Sequence, residues 1–268
     1  FNGQWMGYVN ATAEFQRAMN HSMGDSLWRC CVVMVDDLIV ASETEEQHMA
    51  DLREVFTKLA ARGHTIKASK MKFVQDEVEY LGRVSTKEGI KITPRHKSAV
   101  LDMPYPIEDG KVDVTRLRSG VGLFKFCRNH IPKCAWLCAP LNDLTTKEAG
   151  EWREIHSLCW DTLKYFVVYS KGLHHLDYSK PIYVCTDGSK KGVGGYIYQR
   201  EGREEHVCSY FSRQTTKDEQ KWDTRELELL AVLATLEAHH HLIDGQVVVL
   251  QTDHRNLTYL MNMKEPSG

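Results

Sequence analysis

The sequence lacks an apolar stretch of membrane-spanning length. Its densest runs, Cys30 to Val35 and Val247 to Leu250, fall far short of the roughly 20 residues that a bilayer-crossing helix needs. It also lacks a basic-then-apolar leader ahead of a small-residue cleavage site, so the expectation is an intracellular protein that is not secreted and has no membrane partner. Net charge is only −2, which excludes indiscriminate binding to polyanions. Proline is scarce, 7 in 268 residues, and falls between helical patterns more than within them. With 42% apolar and 26% charged residues the chain is neither disordered nor core-poor, and its length allows two or three compact units.

A spaced disulfide framework is missing as well. The 8 cysteines include the adjacent pair Cys30-Cys31, which would point to opposite faces of a strand, and reduced thiols are the expectation. Cys134 and Cys138, with His130 nearby, have the spacing of a zinc fragment but no second close ligand pair, and helical cysteines at that spacing also serve as core. The basic run from Arg62 to Lys72, with Lys67, Lys70 and Lys72 and no acid, is either a solvated face or a track for phosphates. His239, His240 and His241 end a helical pattern, where surface or packing roles outweigh metal ligation. The chain begins at Phe1 without methionine and ends at Pro266-Ser267-Gly268 directly after an apolar helical pattern, so both ends read as cut from something larger.

Periodicity predicts a short helix within 10–23 entered from Asn10 or Thr12, then β-rich runs Cys30 to Val35 and Leu38 to Ala41 with Asp36-Asp37 at the bend between them. Thr44 and Gln47 form a capping box ahead of a helix that Gly63 stops. Strand-like pieces from Phe73 to Val84 lead to a Glu88-Gly89 turn and to Thr93-Pro94, the start of another helix. A loop is expected from Met103 to Asp113. Helical stretches follow over roughly 114–129, 134–144 and 152–169, punctuated by Pro132, Pro140 and Gly150. The last third changes texture to strands at Ile182 to Cys185, Val193 to Tyr198 and His206 to Phe211. A helix from about Asp223 to His241, a strand from Val247 to Thr252 and a helix starting near Arg255 complete a βββαβα order, which predicts a mixed sheet with helices.

Against that background three acidic motifs stand out in the last unit: Thr186-Asp187-Gly188-Ser189, Arg225-Glu226-Leu227-Glu228-Leu229-Leu230 and Gln251-Thr252-Asp253-His254. A fourth, Met34-Val35-Asp36-Asp37, lies far upstream. Asp187 and Asp253 end strands and Glu226 sits in the first turn of the long helix, positions that can converge at one sheet edge. Carboxylates on rigid elements suit magnesium, and a pair of divalent ions neutralises charge on both the attacking and the leaving oxygen at a phosphodiester. Ordinary capping and strand-end roles explain any one of these acids alone.

The surrounding residues carry a resemblance. Pro181 to Tyr198, Ser209 to Gln214, Arg225 to Val232 and Thr252 to Leu260 resemble the ribonuclease H domain of gypsy-type LTR retrotransposon polyproteins. Gly7 to Arg17, through Phe15-Gln16-Arg17, is similar to the reverse transcriptase palm of that family. Val32 to Ser42 resembles its two-aspartate hairpin, and Tyr80-Leu81-Gly82 the stretch that grips the primer. Leu117-Arg118-Ser119, Gly122-Leu123, Ile131-Pro132 and Ala139-Pro140-Leu141 resemble the thumb.

The resemblance implies a multidomain α+β and α/β chain: a partial palm over 1–87, an α-rich thumb or connection over 88–175, and a ribonuclease H-like mixed-sheet domain over 176–268 that stops before the family's final acidic ligand. It implies metal-binding catalytic roles for Asp187, Glu226 and Asp253 in hydrolysis of the RNA strand of an RNA:DNA hybrid, with Asp187 bridging two ions. Asp36 and Asp37 would hold metal in RNA-directed DNA polymerisation. Gln16, Arg17, Lys67, Lys70, Lys72, Tyr80, Leu81 and Gly82 would contact nucleic acid. Mg2+ or Mn2+, two per site, would be the cofactor, with RNA template, DNA primer and, in the full protein, dNTP as partners, in the cytoplasm, a retroelement particle or the nucleus. The family's first palm aspartate lies upstream of Phe1, so this stretch alone is expected not to polymerise. Met34 departs from the tyrosine usual there. The alternatives are a decayed or co-opted copy that binds nucleic acid without catalysis, and a module whose ribonuclease H fold serves as a dimerisation surface.

Overall fold

A computed structural model describes residues 7–146 and 150–252, and the chain divides into two compact units, Phe1–Leu81 and Gly82–Gly268. In the first unit, helix α1 (Ala11–Met23) starts after Asn10, whose side chain makes no capping bond, and buries Met19 and Met23. Strands β1 (Cys31–Met34) and β2 (Asp37–Val40) form an antiparallel hairpin in which Met34 pairs with Asp37. Helix α2 (Glu45–Ala61) is capped by Thr44, whose Oγ1 accepts from Gln47 N at 3.2 Å. The predicted capping box is only half made, because the Gln47 side chain turns forward to donate to Asp51 Oδ1 at 2.8 Å.

Met19, Met23, Cys30, Cys31, Val33, Val55 and Leu59 are the buried core of this unit. Cys30 and Cys31 are both buried, contrary to the strand alternation expected of them, because the strand begins only at Cys31. Beyond α2 the chain forms a short 3-10 turn (Ala68–Lys70) and strand β3 (Glu77–Tyr80).

The second unit opens with strands β4 (Arg83–Thr86) and β5 (Gly89–Ile92), an antiparallel pair around the Glu88-Gly89 turn. Helix α3 (Pro94–Leu101) follows, with Thr93 Oγ1 accepting from His96 N and proline in the first turn, where its missing N–H costs nothing. The segment expected to be a loop contains a small ribbon of β6 (Ile107–Glu108) and β7 (Lys111–Val112), since Asp109 and Gly110 take the positive φ that a tight reversal needs.

Helices α4 (Val114–Phe126), α5 (Cys134–Asp143) and α6 (Glu154–Val168) then pack around Leu117, Phe124, Ile131, Leu141, Trp160 and Leu163. Pro140 lies inside α5, within the helical stretch 134–144 expected from the sequence. Cys134 and Cys138 are core: their sulfurs are 4.0 Å apart, and both are free and buried. Among the described residues no group of three or more His, Cys, Asp or Glu is gathered as a metal site.

Strand β8 (Leu173–His174) pairs with β5 and leads to the main sheet. That sheet holds β9 (Ile182–Ser189), β10 (Gly192–Glu201), β11 (Glu204–Gln214) and β12 (Val248–Gln251) in the order β11-β10-β9-β12, antiparallel except for β12 beside β9. Helix α7 (Thr224–Ile243) covers β9 and β10. The mixed sheet and its crossing helix are as predicted. Along β9, burial alternates so that Ile182, Val184, Thr186 and Gly188 are covered while Asp187 and Ser189 face out. The helix expected near Arg255 lies outside the described residues. Among the described residues no helix is long and apolar enough to cross a membrane.

Candidate functional site

In the first unit, Asp36 and Asp37 are both exposed, but they do not share the bend as the sequence suggested. Asp37 is the first residue of β2, and the two turn residues are Val35 and Asp36. Val35 has φ 56°, a left-handed backbone that a β-branched side chain strongly disfavours. Gln16 holds it there. Gln16 Oε1 accepts from Val35 N at 2.6 Å while its Nε2 donates to Val33 O at 3.1 Å and to Asn20 Oδ1 at 2.8 Å. Expected from the sequence as a nucleic-acid contact, Gln16 is in this structure a brace between α1 and the turn that carries the aspartates.

Tyr80 is half-buried, with its hydroxyl without a hydrogen-bond partner among the described residues. Burial first, and the negative charge of Asp37 second, push its phenol above its ordinary pKa. Leu81 is exposed at φ 49°, and Gly82 takes φ 72° at the start of the next unit. Lys67, Lys70 and Lys72 are exposed, and Arg17 pairs with Glu14 across one helical turn at 3.1 Å.

In the second unit two of the three acidic motifs approach each other where β9 passes under the start of α7. A Cβ on Gly188 would lie 2.3 Å from Leu227 O and 2.9 Å from Glu228 N, so only glycine allows this approach. It sets the β9 backbone next to Asp187 against the first turn of α7, which carries the two glutamates flanking Leu227, while the Asp187 side chain itself faces out. Those glutamates are not equivalent. Glu226 is exposed and completes the capping box: its Oε2 accepts from Asp223 N at 2.8 Å while Asp223 Oδ1 accepts from Glu226 N at 3.2 Å. Glu228 is 5% exposed, on the face of α7 that also buries Ala231, Val232 and Thr235. Sequence reasoning passed over Glu228, although an acid three, four and seven residues ahead of buried small side chains on one helix face was the available signal. Gln251 ends β12 opposite Cys185, and Asp253 lies outside the described residues.

Lys133 brings the cation. It precedes α5 and extends its ammonium to within 2.5 Å of Asp187 Oδ2. The same segment is tied to the sheet by Ala135 N, which donates to Ser212 Oγ on β11 at 2.9 Å. A hard divalent cation takes carboxylate oxygens and waters. The exposed Asp187 carboxylate, already holding a positive charge, is a donor of that kind.

Residues 1–84 match the reverse transcriptase (RNA-dependent DNA polymerase) family, and residues 177–268 match the RNase H-like domain found in reverse transcriptase. The Retrovirus-related Pol polyprotein from transposon 297 of Drosophila melanogaster is 29% identical over 264 residues, covering 98% of this chain and 24% of its own length. The Pol polyprotein from transposon gypsy of the same organism is 29% identical over 267 residues (94% and 25%), and the Transposon Tf2-3 polyprotein of Schizosaccharomyces pombe is 27% identical over 267 residues (98% and 20%). The chain thus spans about a quarter of the length of these relatives.

The fold is similar to that of the foamy viral protease-reverse transcriptase. In its RNA/DNA hybrid complex the TM-score is 0.76 at 24% identity, covering 100% of this chain and 36% of that one. In the dRH form with ds DNA the TM-score is 0.79 at 23% identity, covering 96% and 44%. With a reverse transcriptase match at one end and an RNase H-like match at the other, the chain carries a reverse transcriptase domain and an RNase H-like domain of reverse transcriptases, and its homologues are the Pol polyproteins of LTR transposons, gypsy among them.

Proposed function

We propose that this chain supplies the ribonuclease H centre, and part of the polymerase centre, of a retrotransposon polyprotein. The full protein would copy an RNA template into DNA from a primer and dNTPs, and would hydrolyse the RNA strand of the resulting RNA:DNA hybrid. The observation that carries the reading is the Gly188 crossing, which sets the stretch of β9 that bears Asp187 against the start of α7, where Glu226 and Glu228 lie.

Reverse transcriptase and ribonuclease H domains generally use divalent metals. When bound, a pair of Mg2+ or Mn2+ ions activates the attacking water and neutralises the departing 3′-oxygen. Asp187 would hold them with Glu228 and Asp253, the third acid by sequence. Glu226, already spent on Asp223 N, would keep the first turn of α7 in place and so fix the position of Glu228. In the palm, Asp36 and Asp37 would hold metal at the primer end, on a turn whose shape Gln16 maintains. Exposed Lys67, Lys70 and Lys72 would contact phosphates, which predicts affinity that falls steeply with salt.

Cleavage of a labelled RNA:DNA hybrid with Mg2+ or Mn2+ tests the reading. Asp187→Asn and Glu228→Gln should each abolish cleavage, and Glu226→Gln should reduce it much less. Equal loss in Glu226→Gln and retention in Glu228→Gln would return the ligand role to Glu226. No cleavage by the parent chain, together with salt-sensitive hybrid binding, would favour a copy that binds without catalysis.

A further inference from the structure

Lys133 has no part in the reading above, yet it is the side chain that touches Asp187. Its backbone is left-handed, φ 51° and ψ 31°, a region that L-residues other than glycine disfavour. Such a conformation persists only where the neighbours impose it. Here they do: Ile131 is fully buried and Cys134 nearly so, and Ala135 is tied to Ser212 of β11. The strained residue therefore sits at a fixed point of the interface between the helical layer and the sheet, and its ammonium meets the Asp187 carboxylate near the end of β9.

We propose that Lys133 is a further residue of the nuclease site, a resident cation on Asp187 that a divalent metal must displace, so that it sets the metal concentration at which the site loads. This rests on the reading of Asp187 as a metal ligand. An ammonium on Oδ2 and a divalent ion on the same oxygen repel each other, and one must leave. The lysine is the one free to go, because its side chain is 68% exposed and that of Asp187 56%, so the ion pair is screened and weak enough to break. Its four-carbon stem can swing into solvent without disturbing the anchored backbone.

The test is Mn2+ binding to the full chain without nucleic acid, read by the electron paramagnetic resonance of free Mn2+ and by calorimetry. Lys133→Met should bind about two- to fivefold more tightly, the range that an exposed ion pair supports. Lys133→Asn, whose side chain tolerates the left-handed backbone, should do the same and controls for misfolding of the first variant. In the parent chain carrying 13C-methylated lysines, the Lys133 resonance, identified by its absence from Lys133→Met, should move on addition of Mg2+. Unchanged or weaker Mn2+ affinity in both lysine variants, with binding still lost in Asp187→Asn, would overturn the role of Lys133 and leave the site itself standing. Undiminished binding in Asp187→Asn would instead remove the reading on which the inference rests.

Discussion

Gln16 holds Val35 in a left-handed turn. The glutamine carbonyl accepts from Val35 N at 2.6 Å, and its amide donates to Val33 O at 3.1 Å, so one side chain closes both sides of the bend that presents Asp36 and Asp37. Replacing Gln16 with alanine leaves these backbone groups without their partners. The expected cost is about 1–2 kcal/mol in the urea-induced unfolding of the first unit. Val35→Gly removes the side chain that opposes the positive φ, and combining it with Gln16→Ala should cost less than the sum of the two single changes. Strict additivity in the double-mutant cycle would mean that the brace and the strained turn are independent.

Gly188→Ala asks whether β9 and α7 can separate. The added methyl would meet Leu227 O at 2.3 Å, and a carbonyl in the first turn of a helix cannot rotate away as a flexible side chain can. A loss of about 1–3 kcal/mol is expected from overpacking of this kind, measured as a lowered thermal midpoint. Because Asp187 and Glu228 flank the crossing, metal affinity should fall in the same variant even at temperatures where it stays folded. A stable Gly188→Ala protein with unaltered Mn2+ binding would count against the crossing as the organiser of the site.

His130 makes stability depend on pH. Burial first, and the charge of Arg83 second, hold its imidazole down at about 4, and Nε2 faces Ile90 O at 3.2 Å. An unfolded histidine titrates near 6.5, so between pH 6.5 and about 4 the unfolded chain binds more protons than the folded one. The contribution is therefore complete above pH 6.5 and declines as pH falls toward 4, by an amount of order 3 kcal/mol across the window. Carboxylates add their own acid sensitivity, so the informative quantity is the difference between the parent chain and His130→Gln. Parallel stability profiles for the two between pH 4 and 7 would refute the assignment.

Trp160 is the largest side chain in the helical core, 1% exposed and edge-on to Phe124 at 5.2 Å between ring centres. Trp160→Ala should cost about 3–5 kcal/mol, the sum of lost transfer energy and the cavity left among α4, α5 and α6. Gly120, where a Cβ would sit 2.3 Å from the Trp160 ring, makes room for the indole, so Gly120→Ala should be destabilising in the parent chain and less so in Trp160→Ala. Guanidinium unfolding of the four proteins gives the coupling directly.

Much of this protein follows from the sequence alone. The alternation Ile182, Val184, Thr186 is enough to make a strand with one covered face, and Asp223 three residues before Glu226 is enough to start and cap α7, because these signals act between residues a few positions apart. The order of acidic motifs likewise pointed to the two candidate centres and to the family. Tertiary structure decided what depends on partners distant in the chain. It buried Glu228 and left Glu226 exposed, because only the packing of α7 on β9 tells one acid of a helix from another two residues away. It made Gln16 a brace for Val35. It also set Lys133, 54 positions before Asp187, on the carboxylate. No local pattern encodes that last contact: it exists because the backbone of Lys133 is held left-handed by the docking of α5 on β11, and docking is a property of surfaces that the folded chain creates.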